Sequence, residues 1–238
     1  MPAPANSSAD LGRRTASALV LAPLGLAAVW LGGWPFYALL AATTAGLTWE
    51  WATLPLPRVG GEGRGEEVRT SLTTFGRSLG LLLILTAAAA FAWLRADPTV
   101  GRANALFLLA IIWATDIAAY LIGRTAKGPR LAPRISPAKT WSGAIGGNAA
   151  AICTGLTAAA MTQTSFTHAA AIAAALSIIA QAGDLAESAV KRRFGVKDTS
   201  RLIPGHGGLL DRLDSTLAVT LAAALLAFLR GRGVVLWA

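Results

Sequence analysis

Acidic, hydroxyl and cationic side chains recur at a helix-like spacing in two separate stretches of the chain. The first stretch spaces its polar residues 0, 3, 4 and 7 positions apart: Asp184, Glu187, Ser188 and Lys191. The second repeats the 0, 3, 4 spacing: Asp211, Asp214 and Ser215. Side chains at these spacings share one face of a helix. The two stretches therefore predict two helix ends that each present a pair of carboxylates.

The residue types in these stretches indicate chemistry on phosphates. Carboxylate oxygens without paired histidine or cysteine ligands suit hard cations, and Mg²⁺ is commonly held by one or two carboxylates together with substrate phosphates. The chain has one cysteine and two histidines, so a zinc site of the His-pair type is not expected. Lysine and arginine side chains between the stretches would neutralise phosphate oxygens. A metal with surrounding cations is the combination that phosphoryl or nucleotidyl transfer requires.

A second polar region precedes these stretches. Asp116 lies inside a predicted hydrophobic helix, where a carboxylate is costly unless it is paired or hydrated, so it is a functional candidate. The alternative is a structural ion pair. Tyr120 lies four residues later and shares its helix face. Farther on, Ser136, Lys139 and Thr140 directly precede a predicted helix whose N-terminus would attract phosphate. Three glycines then favour close helix packing: Gly143, Gly146 and Gly147.

The elements that must position these residues are apolar. Of the 238 residues, 54% are hydrophobic and 14% are charged, whereas soluble domains average about 45–50% apolar and about 25% charged residues. This composition excludes a disordered chain and argues against a soluble globular domain, and a single cysteine excludes an internal disulfide framework. Charge-free runs long enough to cross a bilayer predict seven spans: 14–32, 35–53, 77–95, 103–123, 142–162, 168–188 and 213–230. The predicted fold class is all-α, a polytopic integral membrane protein with about seven transmembrane helices.

The distribution of basic residues predicts the orientation of these spans. With the N-terminus placed in the cytoplasm, the predicted inside segments hold 17 Lys and Arg residues and the outside segments hold 4, in accord with the preference of basic residues for cytoplasmic loops. We therefore expect N-terminal transmembrane helices over 1–95, with a cytoplasmic loop near 54–76. A catalytic transmembrane domain is expected over 96–238, with cytoplasmic loops 124–141 and 187–214.

The loop between the last two predicted spans resembles the signature of the phosphatidate cytidylyltransferase (CDP-diacylglycerol synthase) family. The match includes Ser188-Ala-Val190-Lys191-Arg192, Lys197-Asp198, Ser200, Ile203-Pro204-Gly205-His206-Gly207-Gly208 and Asp211-Arg212-Leu213-Asp214-Ser215. It extends upstream to Gln181-Ala182-Gly183-Asp184, to Asp116-x-x-Ala119-Tyr120-x-x-Gly123-Arg124 and to Ser136-Pro137-x-Lys139-Thr140-Trp141. One departure is Ser142, where many members of the family carry glutamate.

The resemblance implies an integral enzyme of the bacterial inner membrane, commonly a homodimer, with its active site on the cytoplasmic side. It implies that CTP and phosphatidate are converted to CDP-diacylglycerol and pyrophosphate, that Mg²⁺ is required, with a second cation left open, and that no nucleic acid is bound. Asp184 and Asp211 are then the expected metal ligands, with Asp214 and Asp116 in support. The expected catalytic residues are Asp184, Asp211, Lys191 and Asp214. The expected substrate-binding residues are Ser136, Lys139, Thr140, Ser188, Arg192, Lys197, Asp198, His206, Gly207, Gly208, Arg212, Asp116 and Tyr120.

Other functions stay open on the sequence alone. Another CTP-using membrane lipid transferase or a lipid kinase would share this chemistry and would differ in its products. A transporter would also carry an intramembrane acid such as Asp116, but it would be expected to spread polar residues through the bilayer midplane. A non-catalytic scaffold would not need the aspartates.

Overall fold

The computed structural model describes residues 8–54, 65–200, 202, 207–231 and 235–238. Within these residues the chain forms seven helices, which confirms the predicted number. They are α1 (Ser8–Leu31), α2 (Gly33–Thr53), α3 (Gly65–Arg95), α4 (Gly101–Ala126), α5 (Trp141–Thr162), α6 (Phe166–Arg193) and α7 (Leu210–Arg230). Two short strands, β1 (Arg130–Ala132) and β2 (Ser136–Thr140), lie between α4 and α5.

Five of the seven described helices contain a segment with the length and composition of a membrane span. Among the described residues, five helical segments are long and apolar enough to cross a membrane: Thr74–Arg95, Gly101–Ala126, Trp141–Thr162, Phe166–Arg193 and Leu210–Arg230. Leu19–Leu31 is a shorter apolar helical segment. The predicted class, an all-α integral membrane protein with several spans, is therefore confirmed, whereas the cytoplasmic position of the N-terminus stays a prediction.

Several helices continue beyond the predicted spans. α4 reaches Ala126 and α6 reaches Arg193, so both extend into segments that the sequence analysis assigns to loops. α3 begins at Gly65, inside the predicted loop 54–76, and positions 55–64 of that loop lie outside the described residues. Charge-free runs locate the apolar part of a helix, but they do not show where its charged continuation ends.

Both breaks in the long apolar runs are present in the structure. Gly32 and Gly33, with φ of 68° and 55°, separate α1 from α2 in a left-handed conformation that glycine adopts without steric cost. The Nε of Arg95, at the end of α3, donates to the backbone oxygen of Val29 at 2.7 Å and ties this turn to α3. Between α5 and α6, the Ser165 side chain accepts from a backbone N–H of the first turn of α6 and caps that helix.

Glycines let α5 approach both of its neighbours closely. A Cβ on Gly143 or Gly147 would lie 2.6 or 2.7 Å from a backbone oxygen of α4, and a Cβ on Gly155 would lie 2.7 Å from a backbone oxygen of α6. These contacts confirm the packing role predicted for the glycines that begin α5. The Thr115 hydroxyl on α4 is also 3.0 Å from the Ser177 hydroxyl on α6. These contacts hold α4, α5 and α6 in fixed positions relative to one another, and so they also fix where the ends of the three helices lie.

The segment before α5 contains a β-hairpin that the sequence analysis does not predict. β1 and β2 pair antiparallel as a two-stranded sheet. Pro137 obscures the strand pattern in the sequence, yet a two-stranded sheet tolerates proline because each strand is an edge strand. Thr140 ends β2 and caps α5, since its Oγ1 accepts from the backbone N–H of Gly143 at 3.1 Å. The hairpin thereby holds Ser136 and Lys139 directly in front of α5.

One end of the helix bundle collects the polar groups. α2, α4 and α6 finish there, and α5 and α7 begin there. We call it the polar end and define it by Glu50, Asp116, Lys139, Asp184 and Asp211. The opposite end contains the α1–α2 turn, Arg95 and the start of α4.

Candidate active site

Three carboxylates converge where α6 ends and α7 begins. Asp184 and Glu187 lie on α6, and Asp214 lies in the second turn of α7. Each offers one carboxylate oxygen, and these oxygens all lie within 4.8 Å of one another. The helical spacing predicted from the sequence places Asp184 and Glu187 on one face of α6, and the packing of α7 on α6 adds Asp214. We call these three residues the carboxylate cluster.

The carboxylate cluster has the donor set of a hard-cation site. All its ligand atoms are carboxylate oxygens, the type that Mg²⁺ prefers. The Oε1 atom of Glu187 is buried and has no hydrogen-bond partner in the part of the chain that the structure describes. A buried carboxylate oxygen without a donor is costly, and a bound divalent cation would satisfy it. The residues present therefore fit Mg²⁺.

Lys191 joins the carboxylate cluster to Asp211. Its Nζ lies 2.6 Å from Glu187 Oε2 and 2.8 Å from Asp211 Oδ1, and only 13% of its side chain is exposed. The lysine extends from α6 across to the first turn of α7. It supplies positive charge beside the cluster and couples the two helices.

Asp211 also organises the loop that precedes α7. Its Oδ2 accepts the backbone N–H of Gly208 at 2.9 Å and that of Thr199 at 3.1 Å. A Cβ on Gly208 would collide with the Thr199 hydroxyl, so any other residue there would force the Thr199 side chain to move. Gly207, with φ of 86°, makes the turn that leads into this contact.

Lys139 brings the β-hairpin to the carboxylate cluster. Its Nζ lies 2.5 Å from Asp184 Oδ2, and both side chains are partly exposed. Ser188, one turn farther along α6, places its hydroxyl 3.5 Å from Asp184 Oδ1. Asp184 thus contacts a lysine from the segment in which the sequence predicts a phosphate site. The structure therefore brings together the two polar regions that the sequence analysis describes separately.

Asp116 and Tyr120 line the same cavity as Lys139 and Asp184. This placement agrees with the helix face that the sequence predicts for the two residues. The Tyr120 hydroxyl accepts from Arg124 Nη1 at 2.9 Å, and the tyrosine side chain is exposed. Both residues therefore lie beside the carboxylate cluster, in the same cavity.

The remaining predicted residues lie around the edge of the site. Arg192 donates to the backbone oxygens of Ile135 and Val196, at 3.4 and 3.2 Å, and so links α6 to the hairpin. Lys197 and Asp198 are exposed in the loop after α6. Arg212 lines the cavity, and His206 lies outside the described residues.

Glu50 is a site residue that the sequence analysis did not single out. Its side chain is fully buried at the end of α2. One of its oxygens accepts from the Leu209 N–H at 2.8 Å and the Ser200 hydroxyl at 2.5 Å. The other accepts from the Leu210 N–H at 2.7 Å and the Thr199 hydroxyl at 3.3 Å. The only signal in the sequence is a carboxylate directly after the charge-free run 15–49.

A cavity of about 1020 Å³ opens beside these groups. Its polar side is lined by Asp116, Lys139, Asp184, Asp211 and Arg212. The rest of its wall consists mainly of apolar side chains from α1, α2, α3, α4 and α7. The arrangement can bring a phosphate group and an apolar group to one place, with cations and carboxylates at the phosphate end.

Comparison with known proteins identifies a family and several relatives that this chain resembles. A sequence model of the cytidylyltransferase family matches residues 65–229. The chain is 52% identical over 148 residues to a phosphatidate cytidylyltransferase of Brucella suis, a match that covers 62% of this chain and 54% of that protein. It is 31% identical over 239 residues to a phosphatidate cytidylyltransferase of Rickettsia bellii, covering 93% of this chain and 91% of that protein.

The Brucella match covers only about half of that relative's length, whereas the Rickettsia match covers nearly the whole of both proteins. The family match spans more than half of this chain and includes the carboxylate cluster, Lys139, Lys191 and Asp211. The chain therefore belongs to the cytidylyltransferase family.

Proposed function

We propose that this protein converts CTP and phosphatidate to CDP-diacylglycerol and pyrophosphate. The observation that carries the proposal is the carboxylate cluster with Lys139 and Lys191 beside it, at the polar side of a cavity whose other walls are apolar. Such a site suits a lipid that carries a phosphate and a co-substrate that carries several. The names of the relatives support the same two substrates.

In the proposed reaction, a phosphate oxygen of phosphatidate attacks the α-phosphorus of CTP, and pyrophosphate leaves. A phosphate monoester is largely ionised at neutral pH, so no general base is required. The main obstacle is the mutual repulsion of two polyanions, which the site must offset with positive charge. We propose that Lys139 and Ser136 hold the lipid phosphate. The CTP phosphates and the leaving group are assigned to Lys191, Arg192, Lys197 and Arg212.

Asp184, Glu187 and Asp214 would hold Mg²⁺ in this proposal. When bound, Mg²⁺ supplies positive charge that neutralises phosphate oxygens and polarises the phosphorus under attack. Asp211 stays a predicted ligand from the sequence. In the structure its partners are Lys191 and the N–H groups of Thr199 and Gly208. Asp184 belongs to both ligand sets, so Glu187 and Asp211 are the residues whose replacement separates them.

We further propose that the protein acts in the bacterial inner membrane, with the polar end facing the cytoplasm. The excess of basic residues in the predicted inside loops supports this orientation, and the relatives are bacterial proteins. CTP would then reach the site from the cytosol, and the lipid would enter from the inner leaflet. The homodimer implied by the family resemblance stays a prediction.

The decisive experiment is incubation of the purified protein with labelled CTP, phosphatidate and Mg²⁺. Cytidylyl transfer will place the cytosine label in a lipid-soluble product and release pyrophosphate. Release of CDP with a phosphorylated lipid would instead identify a lipid kinase. Solute flux through proteoliposomes without CTP turnover would identify a transporter and overturn the proposal.

A further inference from the structure

We infer that the apolar part of the cavity holds an acyl chain of the lipid substrate, and that Phe36 and Phe91 set the longest chain that fits. This inference rests on the proposed function, because it concerns the lipid that the enzyme would use. We call this part of the cavity the apolar chamber. Its walls include Leu24 of α1, Leu40 of α2, Ala88 of α3, Leu109 of α4 and Leu217 of α7.

The chamber leads directly from the charged groups into the apolar interior. Lys139 and Arg212 line its polar side, together with carboxylates of the candidate active site. If these cations bind the phosphate of a lipid, the attached acyl chains extend into the part of the cavity whose walls are apolar. The juxtaposition of cations and a continuous apolar wall therefore matches a phospholipid rather than a free phosphate or a nucleotide.

The depth of the chamber matches one leaflet of a bilayer. Leu47 lies near the polar end, and Phe36 lies 11 positions earlier on α2, a distance of about 16 Å at a rise of 1.5 Å per residue. The hydrocarbon core of a bilayer is about 30 Å thick, so one leaflet contributes about half of that. A chain that enters at headgroup level can therefore follow α2 for about the depth it would occupy in the membrane.

The polar side chains on the α2 wall do not interrupt its apolar character. The Thr43 hydroxyl donates to the backbone oxygens of Leu39 and Leu40, both at 2.9 Å. The Thr44 hydroxyl donates to Leu40 O at 2.6 Å. Because their hydroxyls are bonded within the helix, these threonines offer no free donor to a nucleotide base in the chamber.

Two aromatic rings, Phe36 and Phe91, line the chamber on the side of the α1–α2 turn, and we call them the floor. Phe36 and Phe91 pack edge to face, with ring centroids 5.5 Å apart. Phe36 is buried together with Val29 and Ala105. Behind this layer the Arg95 guanidinium lies 6.0 Å from the Phe36 ring and bonds the backbone of α1. The floor is thus braced by a residue at the opposite end of the bundle.

The floor limits long chains by steric exclusion rather than by attracting shorter ones. A lipid tail leaves surroundings that are as apolar as the chamber, so each methylene gains little free energy on entering. A chain longer than the chamber must displace Phe36 or Phe91 from their packing. The structure therefore predicts an upper limit on chain length and a shallow dependence below it.

The test compares phosphatidates of three chain lengths in the same preparation of each variant: dioctanoyl, dioleoyl and one whose chains exceed oleoyl length. Filling the chamber with Ala88→Phe should lower the dioleoyl-to-dioctanoyl ratio of kcat/KM about tenfold or more, the change that corresponds to typical overpacking of an apolar site. Replacing an aromatic ring of the floor by a smaller side chain, with Phe91→Leu, should lengthen the chamber. It should therefore raise the relative use of phosphatidates whose chains exceed oleoyl length. The ratio does not depend on the folded fraction, so partial loss of stability does not obscure it.

The matched control is Leu82→Phe, which adds the same ring to an exposed position of the same helix outside the chamber. It should leave the ratio unchanged. The inference would be overturned if, with active wild-type protein, Ala88→Phe left the dioleoyl-to-dioctanoyl ratio unchanged and Phe91→Leu left the relative use of longer chains unchanged. That result would leave the proposed function intact. Absence of a lipid-linked nucleotide from either phosphatidate with wild-type protein would instead overturn the proposed function, and the inference with it.

Discussion

Replacing Glu50 with glutamine tests whether α2 holds the loop before α7 in its active arrangement. The carboxylate accepts four hydrogen bonds, two on each oxygen, from the 199–210 segment. Glutamine has the same shape but only one acceptor oxygen, and its NH₂ group is a donor. In either amide orientation, a backbone N–H at the start of α7 loses its acceptor and faces another donor.

The magnitude follows from these four bonds. A hydrogen bond to a charged group contributes about 1.5–3 kcal/mol, and glutamine removes two of the four. The serine or threonine hydroxyl can rotate to another acceptor, so the net loss is about 2–3 kcal/mol. This corresponds to a loosening of the loop by about 30- to 150-fold. The loop supplies the Thr199 and Gly208 N–H groups that hold Asp211.

Steady-state kinetics with each substrate varied in turn will measure the effect. Glu50→Gln should lower kcat/KM for CTP by about 30- to 150-fold, in proportion to the loosening. The KM for phosphatidate should change much less, because Lys139 is held by the β-hairpin and not by this loop. Hydrogen exchange should also accelerate at the backbone amides of residues 199 and 208–210.

The matched control is Thr53→Ala, in the same turn of α2. Among the described residues, the partners of the exposed Thr53 hydroxyl are backbone oxygens of its own helix. Its removal should therefore leave both parameters near the wild-type values. A rise in the KM for phosphatidate as large as the fall in kcat/KM for CTP would refute the positioning role of Glu50. Hydrogen-exchange rates that do not change in Glu50→Gln would refute it as well.

Three further predictions concern the site and its scaffold. Asp184→Asn and Asp211→Asn should each lower turnover by orders of magnitude in protein that still inserts and folds. If Asp184, Glu187 and Asp214 are the Mg²⁺ ligands, Glu187→Gln should raise the Mg²⁺ concentration needed for half-maximal activity more than Asp211→Asn does. A titration of activity with Mg²⁺ will measure this difference. Lys139→Ala should raise the KM for phosphatidate more than the KM for CTP. A larger rise in the KM for CTP would contradict the assignment of Lys139 to the lipid phosphate. Gly155→Leu should destabilise the α5–α6 contact by about 1–3 kcal/mol, measured as a lower Tm, whereas Ala158→Leu, at a less tightly packed position of the same helix, should cost less.

Sequence patterns predicted the helices because membrane spans impose a constraint that is local in the chain. A stretch without charged residues must form its backbone hydrogen bonds within itself, so each such run marks a helix. The turn at Gly32 and Gly33 follows from glycine chemistry alone. The continuation of α6 through Lys191 to Arg193 is not fixed in this way, since charged residues fit equally well in a loop or in a helix that emerges from the membrane.

The site was predictable where spacing along one helix decides geometry. Asp184, Glu187 and Lys191 share a face of α6 for that reason. The contact of Lys191 with Asp211 depends on how α7 packs against α6, and the role of Glu50 depends on α2 lying beside a loop some 150 positions later. Neither contact leaves a local pattern, so a three-dimensional structure was needed to find them.

The bonds from Glu50 have a consequence for how this chain can be divided. The match to the family model begins at residue 65, yet the loop within that region depends on an acceptor located upstream of residue 65. A hybrid that joins residues 65–238 to an unrelated N-terminal hairpin would retain every side chain of the carboxylate cluster and still leave the Leu209 and Leu210 amides unsatisfied. The smallest portable unit of this protein therefore includes α2, and the boundary of the family-model match does not coincide with the boundary of structural self-sufficiency.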